Sequence, residues 1–395
     1  MNPVPSLESV ARRLPASVRE LAIRALNPLR VRRAKAACAP RWITVFVTNH
    51  CNARCEHCFY WSELNSRAPE LSTDDFARLF RSLRRPVHTV RLSGGEPFLR
   101  PDLEDIVASA DATRRVRKIA IPTHGMMRDL PERLEALLPA LRCVHVNVSV
   151  SFDGLRERHD ANRKIPHGFD RAVENLRRLR DLERRSDLFS RSASISLTPA
   201  VSARRGGRRE VLDLVDFLKR ETGLDAIGWD HVRSVETDAI GLPPDIRSGF
   251  TLPPPAEEAP DVRNARRGDV QLSVDEKEEV NGALAALCST TRGGRLTKMR
   301  LDAQLQILRS RRRVVDCLAG YVDCVVYPSG EIAVCEFTRP FANLHDFGMD
   351  LPRAMSGEQA REARARTRAC ACTHPCHLSD SLAYDADFLV RFFEA

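Results

Sequence analysis

Cys51, Cys55 and Cys58 stand in the spacing C-x3-C-x2-C within TNHCNARCEHCFYW (48–61), with no fourth cysteine close enough in sequence to complete the set. Four ligands saturate a structural zinc, usually from paired C-x2-C knuckles. A Cys3His zinc site could be drawn here with His50 or His57, but a C-x3-C pair after a strand is a poor knuckle. A [4Fe–4S] cluster takes one protein ligand per iron. Three cysteines therefore leave one iron open to an outside molecule, and an amine and a carboxylate could chelate it together. SGGEP (93–97) then acquires a purpose. Gly94 and Gly95 let the backbone approach a ligand closely, and Glu96 can receive an ammonium group.

Of the 12 cysteines, six more fall between 317 and 376: Cys317, Cys324, Cys335, Cys370, Cys372 and Cys376. Cys38, Cys143 and Cys288 stand alone and read as small buried hydrophobes or bystanders. Cys317 and Cys335 flank VVYPSGEIAV, which reads as a β-hairpin turning at Ser329-Gly330. CACTHPC (370–376) returns from afar. This makes a clamp for a second metal centre, with zinc as the alternative to iron and sulfide because His374 and His377 are at hand. The opening MNPVPSLESVARRLP is polar and broken by prolines, so no export signal is visible. Cysteines in such a chain point to metal or redox chemistry rather than disulfides.

These residues need a scaffold. Apolar, β-branched runs recur at 42–48, 87–93, 117–123, 144–152, 192–198 and 225–231. Amphipathic helical stretches separate them at 73–84, 102–110, 130–141, 169–185 and 209–223. Six β/α steps predict a parallel α/β sheet with right-handed crossovers, too few for a closed eightfold barrel. The unusual residues follow the strands at one end: the first cysteines, SGGEP, THG (123–125), SFDG (151–154) and Thr198-Pro199. Ligands bind at that edge of parallel sheets.

The remaining organisation is read as a helical arm over 1–41, a barrel over 42–235, and a proline-rich linker or lid with helical region over 236–313. A cysteine-rich unit follows over 314–378, then a C-terminal helix over 379–395. The arm is expected to pack across the back of the barrel.

C-x3-C-x2-C after the first strand with GGEP after the second resembles the radical S-adenosylmethionine (radical SAM) superfamily. The resemblance implies a partial (β/α)6 barrel and a [4Fe–4S] cluster held by Cys51, Cys55 and Cys58. S-adenosylmethionine would chelate the fourth iron, with Ser93, Gly94, Gly95, Glu96 and Pro97 at its methionine end. His57 stands where the family usually has an aromatic residue near the adenine. SFDGLRERHDANR (151–163) resembles a subgroup segment in which Ser151 and Arg163 would contact ribose and carboxylate; Asp153 and Gly154 equally read as a tight turn. THG stands where TNG is common, and His124 is given a turn role.

The second cysteine set resembles the small α+β auxiliary-cluster extension called SPASM, or twitch in its shorter form. That implies one auxiliary [4Fe–4S] cluster on Cys317, Cys335, Cys372 and Cys376, with Cys324 and Cys370 as rivals. The implied activity is reductive cleavage of S-adenosylmethionine to a 5'-deoxyadenosyl radical, which takes a hydrogen atom from a peptide or small-molecule substrate. An external one-electron reductant of flavodoxin or ferredoxin type would supply the electron. No catalytic side chain is assigned beyond the cluster and S-adenosylmethionine. The alternative is a non-catalytic zinc or iron–sulfur binding protein.

Bulk properties fit a globular enzyme. The chain has 395 residues, 43% hydrophobic and 29% charged, with a net charge of +9. Its arginines are dispersed over helix faces rather than gathered on one element, which argues against nucleic acid. No apolar run is long enough to span a bilayer, and a cytoplasmic location is expected.

Overall fold

The computed structural model describes residues 14–186, 195–197, 200–203, 208–224, 227–250, 271–288 and 292–394. Its centre is a parallel sheet built from β1 (Trp42–Thr48), β2 (Val87–Gly94), β3 (Val116–Thr123) and β4 (His145–Phe152). The sheet continues through β5 (Ile195–Leu197) and β6 (Ala200–Ala203), both paired to β4, to β7 (Gly228–His231). These are the six expected steps. Thr198 and Pro199 lie outside the described residues.

The helices fall close to their predicted places, at Thr73–Ser82, Leu103–Ala112, Leu130–Leu137, Gly168–Arg185 and Arg208–Thr222. The first begins with a capping box: the Ser72 side chain accepts from the Asp75 N–H, and the Asp75 carboxylate accepts from the Ser72 N–H. Two orphan donors are thereby satisfied at once.

Period-two alternation sorts each strand into two faces. Ile43, Val45 and Val47, with Val90, Leu92, Ile119, Ile121, Val146, Val148 and Val150, face the helices and form one core with Phe76, Leu79 and Phe80. Each such side chain contributes about 1.5–3 kcal/mol on burial. The opposite face packs Phe46, Val325 and Ala333 in a second, smaller cluster and carries Thr44, Arg91, Ser93, Asn147, Ser149 and Ser151 toward a cavity.

On the other side of β1 lies β9 (Asp323–Val326), parallel to it, followed by the antiparallel β10 (Glu331–Ala333) and β11 (Ala342–Asn343). The hairpin read from VVYPSGEIAV is β9–β10, and Gly330 at its turn has φ +87°. It adds directly to the barrel sheet. Ala239–Ile240 pairs with Ala371–Cys372, linking the 236–313 region to the last cysteines. That region also contains helices Val274–Cys288 and Arg292–Ser310, while 251–270 lies outside the described residues.

The C-terminal region forms two helices, Pro375–Leu382 and Ala386–Glu394, the first holding Cys376 in its opening turn. The arm helix Ala16–Ala37 packs on the second of these and, through Val31 and Ala34, near Trp42 at the start of β1. Ile23 is buried with Leu389 and Val390, Asn27 Nδ2 donates to the Tyr384 carbonyl, and Arg24 pairs with Asp387.

Candidate functional site

The loop after β1 is held from several sides. Arg100, buried, donates to the carbonyls of Val47 and Leu71 at 2.6 and 2.7 Å. Asn65 clamps Cys51, accepting from its N–H and donating to its carbonyl. The Arg54 and Glu56 N–H groups donate to the carbonyls of Arg163 and Asn162. The cysteine loop therefore sits against helix Arg156–Arg163, an element the sequence reading did not foresee.

Gly94 and Gly95 explain how the second loop reaches the first. The Gly95 N–H donates to the Thr48 carbonyl and the Glu96 N–H to that of His50, both at 2.8 Å. A Cβ on Gly94 or Gly95 would fall well inside van der Waals contact with those same carbonyls. The close approach demanded by these glycines is thus to the cysteine loop itself.

Glu96 is 1% exposed. Its Oε1 accepts from Thr123 Oγ1 at 2.7 Å and the Phe98 N–H at 3.1 Å, and its Oε2 from the His124 N–H at 2.9 Å. Pro97 opens the short 3-10 turn behind it. His124 does more than shape a turn. Its Nδ1 accepts from the Met126 N–H, so in the neutral ring Nε2 carries the proton, 2.7 Å from Asn52 Oδ1 and 3.3 Å from Glu96 Oε2. Burial lowers its pKa and keeps the ring neutral.

Asp153 is a buried anchor. Arg163 Nε and Nη2 donate to its two oxygens at 2.6 and 3.0 Å, and Asn162 Nδ2 donates at 2.7 Å. Burial alone would raise the Asp153 pKa, but Arg163, His57 and His159 together depress it. His57 Nδ1 meets the Asn162 side-chain amide, within 3.3 Å of both its oxygen and its nitrogen. Asp153, Asn162 and Asn52 were not picked out by sequence reasoning as supports for the site.

Cys51, Cys55, Cys58, His57, Ser93, Gly94, Gly95, Glu96, Ser151 and Arg163 all line one cavity of about 520 Å³; Pro97 does not. Burial raises all three thiols, Cys58 to about 12, and keeps them protonated until a metal displaces the proton. Arg91, Asp230, Arg233, Glu336 and Cys376 complete the walls.

Residues 45–191 match the radical SAM superfamily. That stretch is a radical SAM domain. GTP 3',8-cyclase of Stenotrophomonas maltophilia is 36% identical over 138 residues, which are 32% of this chain and 40% of that protein. AdoMet-dependent heme synthase of Methanosarcina barkeri is 37% identical over 148 residues, covering 36% of this chain and 40% of its own length. The matched stretch is thus well under half of either curated relative. Among solved structures, Streptococcus suis SuiB bound to S-adenosylmethionine superposes with TM-score 0.57 at 14% identity, over 83% of this chain and 69% of SuiB. SuiB bound to the precursor peptide SuiA gives the same TM-score at 12% identity, over 93% and 76%. The fold therefore extends well beyond the matched radical SAM segment.

The superfamily uses a [4Fe–4S] cluster with S-adenosylmethionine, and the thiols here fit the larger group. Zinc at about 2.3 Å from each sulfur needs sulfurs about 3.8 Å apart. Among the described residues, no three cysteine sulfurs lie within 4.8 Å of one another.

In the second cysteine set the structure gathers Cys317, Cys335, Cys370 and Cys372. Burial pushes the Cys317 thiol up to about 12, with Cys335 and Cys370 adding to the effect. The Cys372 thiol is hydrogen-bonded to that of Cys370 and feels Cys335 and Cys317. Cys376 stands apart, on the cavity wall beside Arg91 and Glu336. Cys370 and Cys372 flank Ala371 in β12 (Ala371–Cys372), which pairs with Ala239–Ile240, whereas Cys376 falls in the first turn of helix Pro375–Leu382. Cys324 lies in β9, fully buried in the main core opposite Ile43.

Proposed function

We propose that this chain is a radical SAM enzyme in which Cys51, Cys55 and Cys58 hold the [4Fe–4S] cluster and Glu96 receives the amino group of S-adenosylmethionine. The observation that carries this reading is the convergence of three thiols, a thrice-hydrogen-bonded carboxylate and the buried Arg163 on one cavity. When bound, the cluster and S-adenosylmethionine supply a 5'-deoxyadenosyl radical that abstracts a hydrogen atom from the substrate. The chain's own residues bind, orient and exclude. Glu96 is fixed by Thr123 and the His124 N–H, with His124 Nε2–H alongside to hold its second oxygen. Arg163, locked by Asp153, presents one fixed positive charge for the carboxylate of S-adenosylmethionine. Ser151 at the end of β4 would meet the ribose and His57 the adenine, since both line the cavity.

Cys317, Cys335, Cys370 and Cys372 would hold one auxiliary [4Fe–4S] cluster, which accepts an electron from the substrate radical or binds the substrate. The substrate would occupy the part of the cavity bounded by Arg91, Asp230, Arg233 and Glu336. These walls carry both signs of charge and suit a polar substrate. The two curated relatives are named for different activities, so likeness to them supports S-adenosylmethionine chemistry and not one substrate. A peptide is supported by the SuiB fold likeness alone. An external flavodoxin- or ferredoxin-type reductant, and a cytoplasmic setting that supplies it, complete the proposal. Among the described residues no helix is long and apolar enough to cross a membrane.

The test is anaerobic. The protein is reconstituted with iron and sulfide, reduced with dithionite and given S-adenosylmethionine. Native protein should form 5'-deoxyadenosine, and the variant with Cys51, Cys55 and Cys58 all changed to Ala should not, while keeping about four irons. Zinc in place of iron at the first motif would end the proposal.

A further inference from the structure

Glu336, His374 and His377 meet at the edge of the cavity, none more than 3% exposed. One donor atom from each lies within 4.8 Å of the other two. Glu336 lines the cavity, while His377 backs onto Cys335. The imidazoles are 4.6 Å apart, and His374 Nε2 is 2.8 Å from Glu336 Oε2. Arg233 holds the same carboxylate oxygen at 3.3 Å. His377 Nδ1 is 2.7 Å from Asp323 Oδ2.

Two nitrogens are left over. His374 Nδ1 and His377 Nε2 are buried with no hydrogen-bond partner among the described residues. A buried polar group without a partner costs about 1–3 kcal/mol, so two in one cluster need a reason. The orientation of His377 supplies one. An imidazole whose Nδ1 faces a carboxylate has the arrangement of a metal-ligating histidine set by its outer partner, and the other side of this ring lies beside Cys335.

We infer that Glu336, His374 and His377 form a mononuclear site for a divalent transition-metal ion, beside the second cysteine set and open toward the cavity. Two imidazoles and one carboxylate suit zinc or iron(II), whereas calcium and magnesium favour all-oxygen shells. Three protein ligands leave a coordination place for a substrate oxygen. Charge is compatible: Glu336 and Asp323 bring two negative charges against one positive charge on Arg233, so a divalent ion leaves the cluster with one net positive charge. An anionic or carbonyl oxygen in the cavity would be drawn to it. The inference does not depend on radical cleavage, because its readout is metal content.

The test uses reconstituted holoenzyme, washed with a weak chelator and then equilibrated with zinc alone. Iron, sulfide and zinc are counted by elemental analysis. About one zinc per chain beyond the iron is expected, falling about tenfold or more in Glu336→Gln with iron and sulfide unchanged. Glu336→Gln preserves shape, and a circular-dichroism spectrum matching the native one guards against misfolding; His374→Ala is the second variant and should behave alike. Cobalt in place of zinc should give visible ligand-field bands without a thiolate-to-cobalt charge-transfer band. Zinc below a tenth of an equivalent in native protein, equal zinc in native and Glu336→Gln protein, or a thiolate band with cobalt would each overturn the site.

Discussion

The backbone carbonyl of His50 occupies the space that a Cβ on residue 95 would take. Gly95 and His50 thereby lock the SGGEP loop onto the cysteine loop, and the Glu96 N–H seals the contact. Gly95→Ala must push one loop away from the other. The expected loss of stability is about 1–3 kcal/mol, as for overpacking elsewhere. Formation of 5'-deoxyadenosine should fall further than that loss explains, because the thiols and Glu96 move apart. Chemical denaturation and a turnover assay on one preparation separate the two effects.

Asp153 and Arg163 make a second prediction. Removing the charge in Asp153→Asn leaves the Arg163 guanidinium buried without its partner, which costs about 3–5 kcal/mol. The sign with pH follows from the depressed Asp153 pKa. Its contribution is complete above about pH 4, where the unfolded carboxyl is ionised, and is lost as pH falls through the lower folded value. The native protein should lose this stability in acid; the variant has already lost it. If both give parallel stability curves below about pH 4, the pair does not act as described.

The parts of this site legible in the sequence were those with fixed spacing. Cys51, Cys55, Cys58 and the GGE run could be read because their chemistry needs adjacent residues, and the strands because apolar period-two runs dictate them. Cys370 against Cys376 was not legible. Which thiol faces which wall depends on β12 pairing with Ala239–Ile240, more than a hundred residues away. Arg91, Asp230, Arg233 and Glu336 are charges on three distant segments that only the closed fold brings together. A clue existed in β2, where Thr89, Arg91 and Ser93 alternate with Val90 and Leu92. A parallel strand covered on both faces by apolar packing would not carry that pattern.

The auxiliary set gives a prediction that sets two cysteines against each other. Cys370→Ala should lose about four irons per chain, since a cluster short of one ligand is labile. Cys376→Ala should keep its iron, because Cys376 stands on the cavity wall and not with Cys317, Cys335 and Cys372. Iron and sulfide counts on the two variants decide it. The opposite pattern would return Cys376 to the cluster and exclude Cys370.

Stability toward mild acid should be governed by buried neutral histidines. His159 is fully buried between Phe152 and Phe169, its ring 5.8 and 5.7 Å from theirs, and its Nδ1 lies 3.3 Å from the Asp153 N–H. Burial, helped by the charge of Arg163, lowers its pKa to about 4. His231, 2.8 Å from Asn281 Oδ1, is lowered to about 4, again chiefly by burial. An unfolded histidine titrates near about 6.5. Between those values the unfolded chain binds more protons than the folded one, so stability falls as pH drops from about 6.5 toward about 4. Each group contributes a slope of at most about 1.4 kcal/mol per pH unit. His159→Phe keeps the aromatic packing and removes one titrating group. It should cost about 1 kcal/mol at neutral pH, through the lost Asp153 N–H contact, yet flatten the decline between about pH 7 and about pH 5. Thermal midpoints at those two pH values, native against variant, measure the difference. An unchanged difference between the two midpoints would mean that His159 is not held neutral by its burial.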